Sequence, residues 1–330
     1  MINRRVAMLK NREGLSKTIY QVMEYCGILQ QIKNTTRIAI KPNFTYPYFK
    51  PGVTTNPEVI REIVKIIRNY SQNIAIVETD GGYGAWLTTE AFAGHKMYEL
   101  KKEYGVEVIN LCDEPKEFIE FKSGWKSYRL PLPSRLLKDT DIFISMPVPK
   151  IHCMTGLSLS YKNQWGCVPD IMRLRRHYIF DDAIVAINQA LKPWVIADGT
   201  YFLDCNGPME GTPVRMDLII AATDCGSFDR YVSDMMGYSW NRIGHLKRAV
   251  ALGDMPPRLE DIKYNVSPLE AGSRVFHLKR TFRNRIALVG FKSRLITWLG
   301  YESWFGRVIL HAILYAICGK PVKRKSGAED

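Results

Sequence analysis

The chain of 330 residues is marked first by what it lacks. Its seven cysteines, Cys26, Cys112, Cys153, Cys167, Cys205, Cys225 and Cys318, are odd in number, scattered, and never paired as CxxC. That spacing suits neither a ferredoxin-type cluster nor a structural zinc site and reads as reduced thiols, so any metal has to come through His, Asp or a bound cofactor. No GxGxxG turn and no GxxxxGK[ST] loop occurs, which removes the glycine cradles that hold dinucleotides and nucleoside triphosphates. No period of repeat length is visible. No signal peptide opens the chain, since Met1-Ile2-Asn3-Arg4-Arg5 runs into mixed sequence, and a cytoplasmic protein is expected.

Acid is missing from one region in particular. There is none from 276 to 294, and the last 60 residues hold 12 Lys and Arg against 3 Asp and Glu, a net +9 of the chain's +13. Residues 1–270 therefore carry only +4. Backbone binding to nucleic acid needs positive charge clustered along a contact face, so nucleic acid is not an expected partner of the main body. The segment 273–330 reads instead as a basic amphipathic helical tail. Its apolar stretch, 304–318, is too short and interrupted for a membrane span. With Arg307, His311, Lys320, Lys323, Arg324 and Lys325 it suits the anionic inner face of a membrane, or packing on the protein's own core or a second subunit.

What is present is a chain with 46% apolar and 24% charged residues, enough to bury a sizeable core. Short β-branched runs at 37–40, 73–78, 106–111 and 141–145 alternate with amphipathic helical patterns at 15–31, 58–70 and 89–104, with a hairpin at 116–128. The second half repeats the alternation, with strands at 194–198 and 216–223 and helices at 183–191, 227–236 and 243–252. This order predicts an α/β fold, two alternating strand and helix halves around a mostly parallel sheet. The α/β catalytic domain is expected over 1–272, either as one body or as two lobes meeting near 140.

The chemistry-bearing residues gather after the strand at 141–145. Lys150, His152, Thr155 and then Lys162 with Asn163 follow an apolar run whose end would deliver them to a crevice, while Pro147 and Pro149 forbid a regular strand or helix. In an extended segment Lys150 and His152 share one face, and with Lys162 they can converge on one anionic ligand. An imidazole titrating near neutrality suits acid/base work, and a nearby lysine favours its neutral form. Arg173, Arg176 and His177 share a face if helical, which suits a ligand with more than one acidic group or else a solvated basic helix.

Earlier, Lys41 and Asn43 end a strand, and Thr54-Thr55-Asn56-Pro57-Glu58 is a helix start with its cap, first-turn proline and first-turn acid. It either holds a carboxylate or phosphate on its free N–H groups or is an ordinary capped helix. Asp80, Asp198 and Asp224 all fall at predicted strand ends, as hydroxyl or metal contacts or as turn residues.

Taken together, these residues resemble a known family. Lys41-Pro42-Asn43, Thr54-Thr55-Asn56-Pro57, Pro149-Lys150-Ile151-His152 with Thr155-Gly156, Lys162-Asn163 with Gly166, Asp198-Gly199, and Gly207-Pro208 with Gly211-Thr212-Pro213 look like domain-of-unknown-function family 362, over about 36–240. Many members carry an added ferredoxin-type iron–sulfur segment; this chain lacks those cysteines, and no iron–sulfur ligands are expected. A more local likeness is to lactate racemase and its relatives, which have a His, a Gly four residues on and a Lys ten residues on. His152, Gly156 and Lys162 fall on that spacing. That resemblance implies His152 as acid/base, Lys162 as the carrier of a covalently attached nickel pincer cofactor, and His177 as a nickel ligand. The glycine pair before that family's Lys is Ser160-Tyr161 here.

Two functions follow as expectations. One is an intracellular enzyme, isomerase/epimerase-like or oxidoreductase-like, moving a proton or hydride at an oxygen-bearing carbon of a small anionic hydroxylated substrate such as a hydroxy acid or sugar acid. In it His152 and Lys162 are catalytic, and Lys41, Asn43, Thr54, Thr55, Lys150, Thr155, Asn163, Arg173 and Arg176 bind substrate. His177, Asp80, Asp198 and Asp224 are its candidates for a cofactor or divalent metal. The other is a peripheral-membrane protein that binds an anionic ligand without catalysis, in an envelope-sugar pathway.

Overall fold

The alternating apolar runs pair into one ten-stranded sheet, seen in a computed structural model that describes residues 3–282, 284–285, 288, 293–301, 303–310, 312–313 and 316. The strands of the first half are β1 (Arg5–Lys10), β2 (Ile38–Pro42), β3 (Ile74–Glu78), β4 (Glu107–Asn110) and a separate hairpin, β5 (Lys116–Ser123) with β6 (Lys126–Pro133). Then come β7 (Ile142–Met146), β8 (Lys150–His152), β9 (Gly156–Ser158), β10 (Trp194–Asp204), β11 (Thr212–Ala222) and β12 (Lys263–Tyr264). The helices are α1 (Leu15–Cys26), α2 (Pro57–Arg68), α3 (Thr88–Gly94), α4 (Met97–Tyr104), α5 (Ser134–Lys138), α6 (Ser160–Asn163), α7 (Phe180–Leu191), α8 (Cys225–Met235), α9 (Gly244–Ala251) and α10 (Arg294–Tyr301).

The spatial order is β12-β1-β11-β10-β7-β2-β3-β4. From β10 through β4 neighbouring strands are parallel, whereas β11 runs antiparallel to both β10 and β1. Parallel strands need both faces covered, and side chains alternate between those faces. In β7, Ile142 and Ile144 join Ile38 and Ile40 beneath α1 and α2, while Phe143 joins Ala39 on the other face beneath α7, α8 and α9. The fold is therefore α/β in three layers, and strands from both sides of residue 140 share one sheet.

Three local features depart from the sequence pattern. The first helix stops at Cys26 because Gly27 takes a left-handed backbone, φ 82°, and closes it. The helical pattern at 89–104 breaks into α3 and α4 around Lys96, which is left-handed at φ 63°. The third correction bears on the site. The strand expected to end at Asp198 continues to Asp204, so Asp198 lies in mid-strand; its N–H donates to Pro147 O at 3.1 Å, and Leu203 N–H donates to Pro149 O at 3.1 Å. Carbonyls of the proline-interrupted segment supply the acceptors that let β10 run on.

From 274 to 279 the chain stays on the body. Phe276 is buried, and the N–H groups of Arg274, Phe276 and Lys279 donate to the carbonyls of Met235, Met236 and Cys205, each at 3.1 Å. Helix α10 lies upstream of the stretch 304–318, whose described residues are themselves helical, with a π-helical turn at Gly306–Leu310. His311, Lys320, Lys323, Arg324 and Lys325 lie outside the described residues. Among the described residues no helix is long and apolar enough to cross a membrane.

Candidate functional site

The C-terminal ends of β2, β3 and β7 meet the β8–β9 ribbon and α6 at one edge of the sheet, the edge where parallel α/β sheets build their sites. Between them lies a cavity of about 300 Å³ whose wall includes Lys41, Glu78, His152, Lys162, Arg173 and His177. Asn43, Thr45, Thr79, Thr155, Ser158, Asn163 and Trp165 add further polar groups to that wall.

The helix that carries Lys162 has only four residues and is held by buried polar groups. Asp229 accepts from Ser160 N–H at 2.8 Å, from Tyr161 N–H at 3.3 Å and from the Ser160 hydroxyl. Asn163 Nδ2 donates to Ser145 Oγ at 2.9 Å, Ser145 Oγ to Gln164 Oε1 at 2.9 Å, and Gln164 Nε2 to Asn188 Oδ1 at 2.9 Å. A fully satisfied buried network of this kind fixes one geometry. Burial pushes the Asp229 carboxyl up to about 7 against the hydrogen bonds that lower it. A carboxyl raised in the folded state contributes stability that is present at low pH and lost as pH rises through about 7. Asp229→Asn is expected to remove that slope between about pH 4 and 7 and, by leaving an N–H of α6 without its acceptor, to cost about 1–3 kcal/mol in urea unfolding at about pH 8.

Lys41 Nζ donates to Glu78 Oε2 at 2.9 Å and to Pro42 O at 3.1 Å, with both side chains of the pair buried. Glu78 also accepts Phe44 N–H at 3.3 Å and Thr79 N–H at 3.0 Å. Gly166 makes room for this pair: a Cβ there would stand 2.9 Å from Lys41 Nζ and 3.3 Å from Glu78 Oε1. Arg173 donates to Asp80 O at 3.1 Å and Asp170 O at 3.4 Å. Lys162, half-buried, makes no hydrogen bond or ion pair with a described residue, and burial, with Arg173 adding to it, pulls its ammonium down to about 8.

The two cavity histidines are neutral at pH 7. Burial and then the Lys162 charge push His152 well below its ordinary value, and burial takes His177 down to about 4. Their tautomers differ. His152 Nδ1 accepts from Met154 N–H at 3.1 Å and Thr155 N–H at 3.4 Å, so its proton sits on Nε2. His177 Nδ1 lies 2.5 Å from Leu174 O and donates to it, which leaves Nε2 unprotonated.

Not all expected residues reach the cavity. Lys150 is fully buried in β8 and donates to Val53 O instead. Thr55 Oγ1 donates to Met146 O at 2.9 Å and accepts Asn43 N–H at 2.8 Å, and Thr54 Oγ1 accepts Lys50 N–H at 2.9 Å, so both hold the loop before α2. Asp198 accepts Asn56 N–H at 2.7 Å, which puts the protein's own carboxylate at that helix start, with Asn56 as the cap. Asp80 accepts Thr88 N–H at 2.9 Å at the start of α3. Asp224 caps α8 and pairs with Arg4 at 3.3 Å, beside a different cavity. Arg176 pairs with Asp170 at 3.6 Å.

Sequence reading missed Glu78, whose only signal was a carboxylate closing an apolar strand, and Trp165, whose buried Nε1 has no hydrogen-bond partner among the described residues. It also missed Ser158. As for a metal, among the described residues no three His, Cys, Asp or Glu side chains gather to hold one. Next to Lys162, where the racemase likeness has glycines, Ser160 is tied to Asp229 and the Tyr161 hydroxyl to Asp254. The glycines of that likeness are thus replaced by two side chains held in buried hydrogen bonds, while Lys162 and His177 line the same cavity.

With this geometry in hand, comparison with known proteins gives three results. A sequence profile for a family described as "Domain of unknown function (DUF362)" matches residues 38–234, a span containing the whole cavity wall. A thylakoid-associated protein of Synechocystis sp. is 26% identical over 225 residues, covering 64% of this chain and 66% of that protein's length, just under two thirds. The crystal structure of a protein from Thermotoga maritima aligns at a TM-score of 0.37 and 12% identity, over 64% of this chain and 55% of that one.

Proposed function

This chain belongs to domain-of-unknown-function family 362, and we propose that its sheet-edge cavity is the active site of an enzyme moving a proton at an oxygen-bearing carbon of a small anionic hydroxylated substrate, in the manner of an isomerase or epimerase. The observation that carries this reading is that one cavity holds both a Lys162 amine without a partner among the described residues, its ammonium pulled down to about 8, and a neutral His152 whose proton is held on Nε2. Lys41, Arg173 and protonated Lys162 outweigh Glu78, so the cavity attracts an acid. Trp165 Nε1 offers a further donor to a substrate oxygen.

In the reaction, neutral Lys162 takes the proton as the C–H bond beside the substrate's carbonyl or carboxylate carbon breaks, the electron pair forms a double bond to that carbon, and the C=O π pair moves onto its oxygen. His152 Nε2–H donates to that oxygen as its negative charge grows, a role a neutral imidazole fills when both its tautomer and its position are fixed. Reprotonation of that carbon from its opposite face gives the epimer, and return of the proton to the neighbouring carbon gives the isomer. The test is solvent exchange: in D2O, proton NMR of a panel of hydroxy acids, keto acids and sugar acids is expected to show loss of one C–H signal. Lys162→Ala is expected to slow it at least a hundredfold and His152→Ala by about 10²–10⁴. No exchange with any member of the panel, or equal exchange by Lys162→Ala, overturns the reading.

A second reading rests on the tail. Leu295, Trp298, Trp304 and Phe305 are exposed, Trp304 at 72%, on a segment rich in Lys and Arg. Aromatic and apolar exposure beside positive charge suits an anionic lipid surface, and one relative is named as thylakoid-associated. We place the protein on the cytoplasmic side, bound at the membrane through this segment. Vesicles containing phosphatidylglycerol are expected to sediment the intact chain, and phosphatidylcholine vesicles or truncation after residue 292 to abolish it. Failure of the intact chain to bind ends this reading.

A further inference from the structure

We propose that the tip of the β5–β6 hairpin is a second point of contact with lipid, so that the protein rests on an anionic bilayer through the hairpin and the C-terminal segment together. The inference rests on the membrane reading above for the identity of the surface. Ser123 pairs with Lys126 across a two-residue turn, and Gly124 takes the left-handed backbone, φ 58°, that such a turn needs. The other turn residue is Trp125, which is fully exposed, more so than any other large apolar side chain among the described residues. An indole standing clear of the body adds nothing to its packing and leaves on the order of 200 Å² of mostly apolar surface in water.

The charges around it suit anionic headgroups. Lys122 and Lys126 flank the indole, both exposed and in no ion pair with a described residue. Both acids of the hairpin are neutralised, Glu117 by Lys138 at 2.6 Å and Glu120 by Arg129 at 3.6 Å. Ser123 Oγ donates to Asp182 of α7, itself paired with Arg248, and so holds the tip on the body. Trp beside cations is the pairing that the membrane–water interface favours. The hairpin also adjoins the tail. Tyr128, three residues and about 10 Å along the strand from Trp125, meets the Tyr178 ring edge-on at 6.1 Å, and Arg294 at the start of α10 lies over the same ring at 5.8 Å. One aromatic ring thus joins the hairpin to the segment that exposes Leu295, Trp298, Trp304 and Phe305. Once the tail has bound, the tip meets the same bilayer as an intramolecular event.

The test is sedimentation of the intact chain with phosphatidylglycerol vesicles, with the partition constant read from a lipid titration. Trp125→Ala is expected to lower that constant about tenfold, and Lys122→Gln and Lys126→Gln about fivefold each. Trp125→Tyr is expected to keep most of the binding, and the urea midpoint of Trp125→Ala to match that of the intact chain. Equal binding by Trp125→Ala and the intact chain overturns the hairpin contact and leaves the tail reading standing. Failure of the intact chain to bind ends both. Self-association without vesicles that Trp125→Ala removes would put a second copy of the chain on the tip and overturn the lipid assignment.

Discussion

Lys162 is expected to react with an amine-directed acylating reagent with a midpoint near pH 8, against about 10.4 for an exposed lysine. At pH 7.5 that difference raises its neutral fraction roughly a hundredfold over the surface lysines, enough to single it out by peptide mass after brief labelling. The cause is burial, which penalises the ammonium, with the Arg173 charge acting in the same direction and Cys153 opposing it. The unfolded chain binds more protons than the folded one between about 8 and 10.4, so this group makes stability rise with pH across that window. For function the same titration cuts two ways. Raising pH through 8 frees the base and removes one positive charge from an anion site, so turnover is expected to climb while acid affinity weakens. A labelling midpoint at 10 or above excludes Lys162 as the base at neutral pH.

The site was legible in sequence to the extent that backbone position alone decides it. Lys41 and His152 follow short apolar runs, and strands of that kind end where the pattern does, so their arrival at one sheet edge was readable. Which of several cations then faces the ligand was not, because that depends on acceptors far along the chain. Lys150 and Lys162 look alike in sequence; Lys150 is claimed by Val53 O, ninety-seven residues away, and Lys162 by no described residue. Arg173 and Arg176 diverge in the same way, one to the carbonyl of Asp80 and the other to Asp170. Asp198 was misplaced because a strand carrying Asp, Gly and Thr has no apolar signature. It exists because β11 pairs with it along its length and the carbonyls of Pro147 and Pro149 accept its N–H groups. The roles of His152 were likewise hidden, since its tautomer is set by two N–H groups of a turn whose shape the prolines alone do not dictate.

Glu78→Gln is expected to destabilise the protein by about 3–5 kcal/mol, the cost of leaving one member of a buried ion pair alone. The loss is large here because Lys41 loses its counter-charge in a cavity that already holds Arg173 and Lys162, and the amide keeps one acceptor oxygen where the carboxylate used two. Lys41→Met is expected to cost a similar amount, since it strands the Glu78 carboxylate with two N–H donors and no cation. The double variant Lys41→Met/Glu78→Gln is expected to fall well short of the sum, because buried pairs are more costly to break than to replace. Urea unfolding of the four proteins closes this cycle. Single variants that each cost under about 1 kcal/mol would mean that solvent in the cavity screens the pair. The ends of β2 and β3 would then be held by the parallel ladder alone, and the cavity's wall would owe its shape to the sheet and not to the charge pair set between its strands.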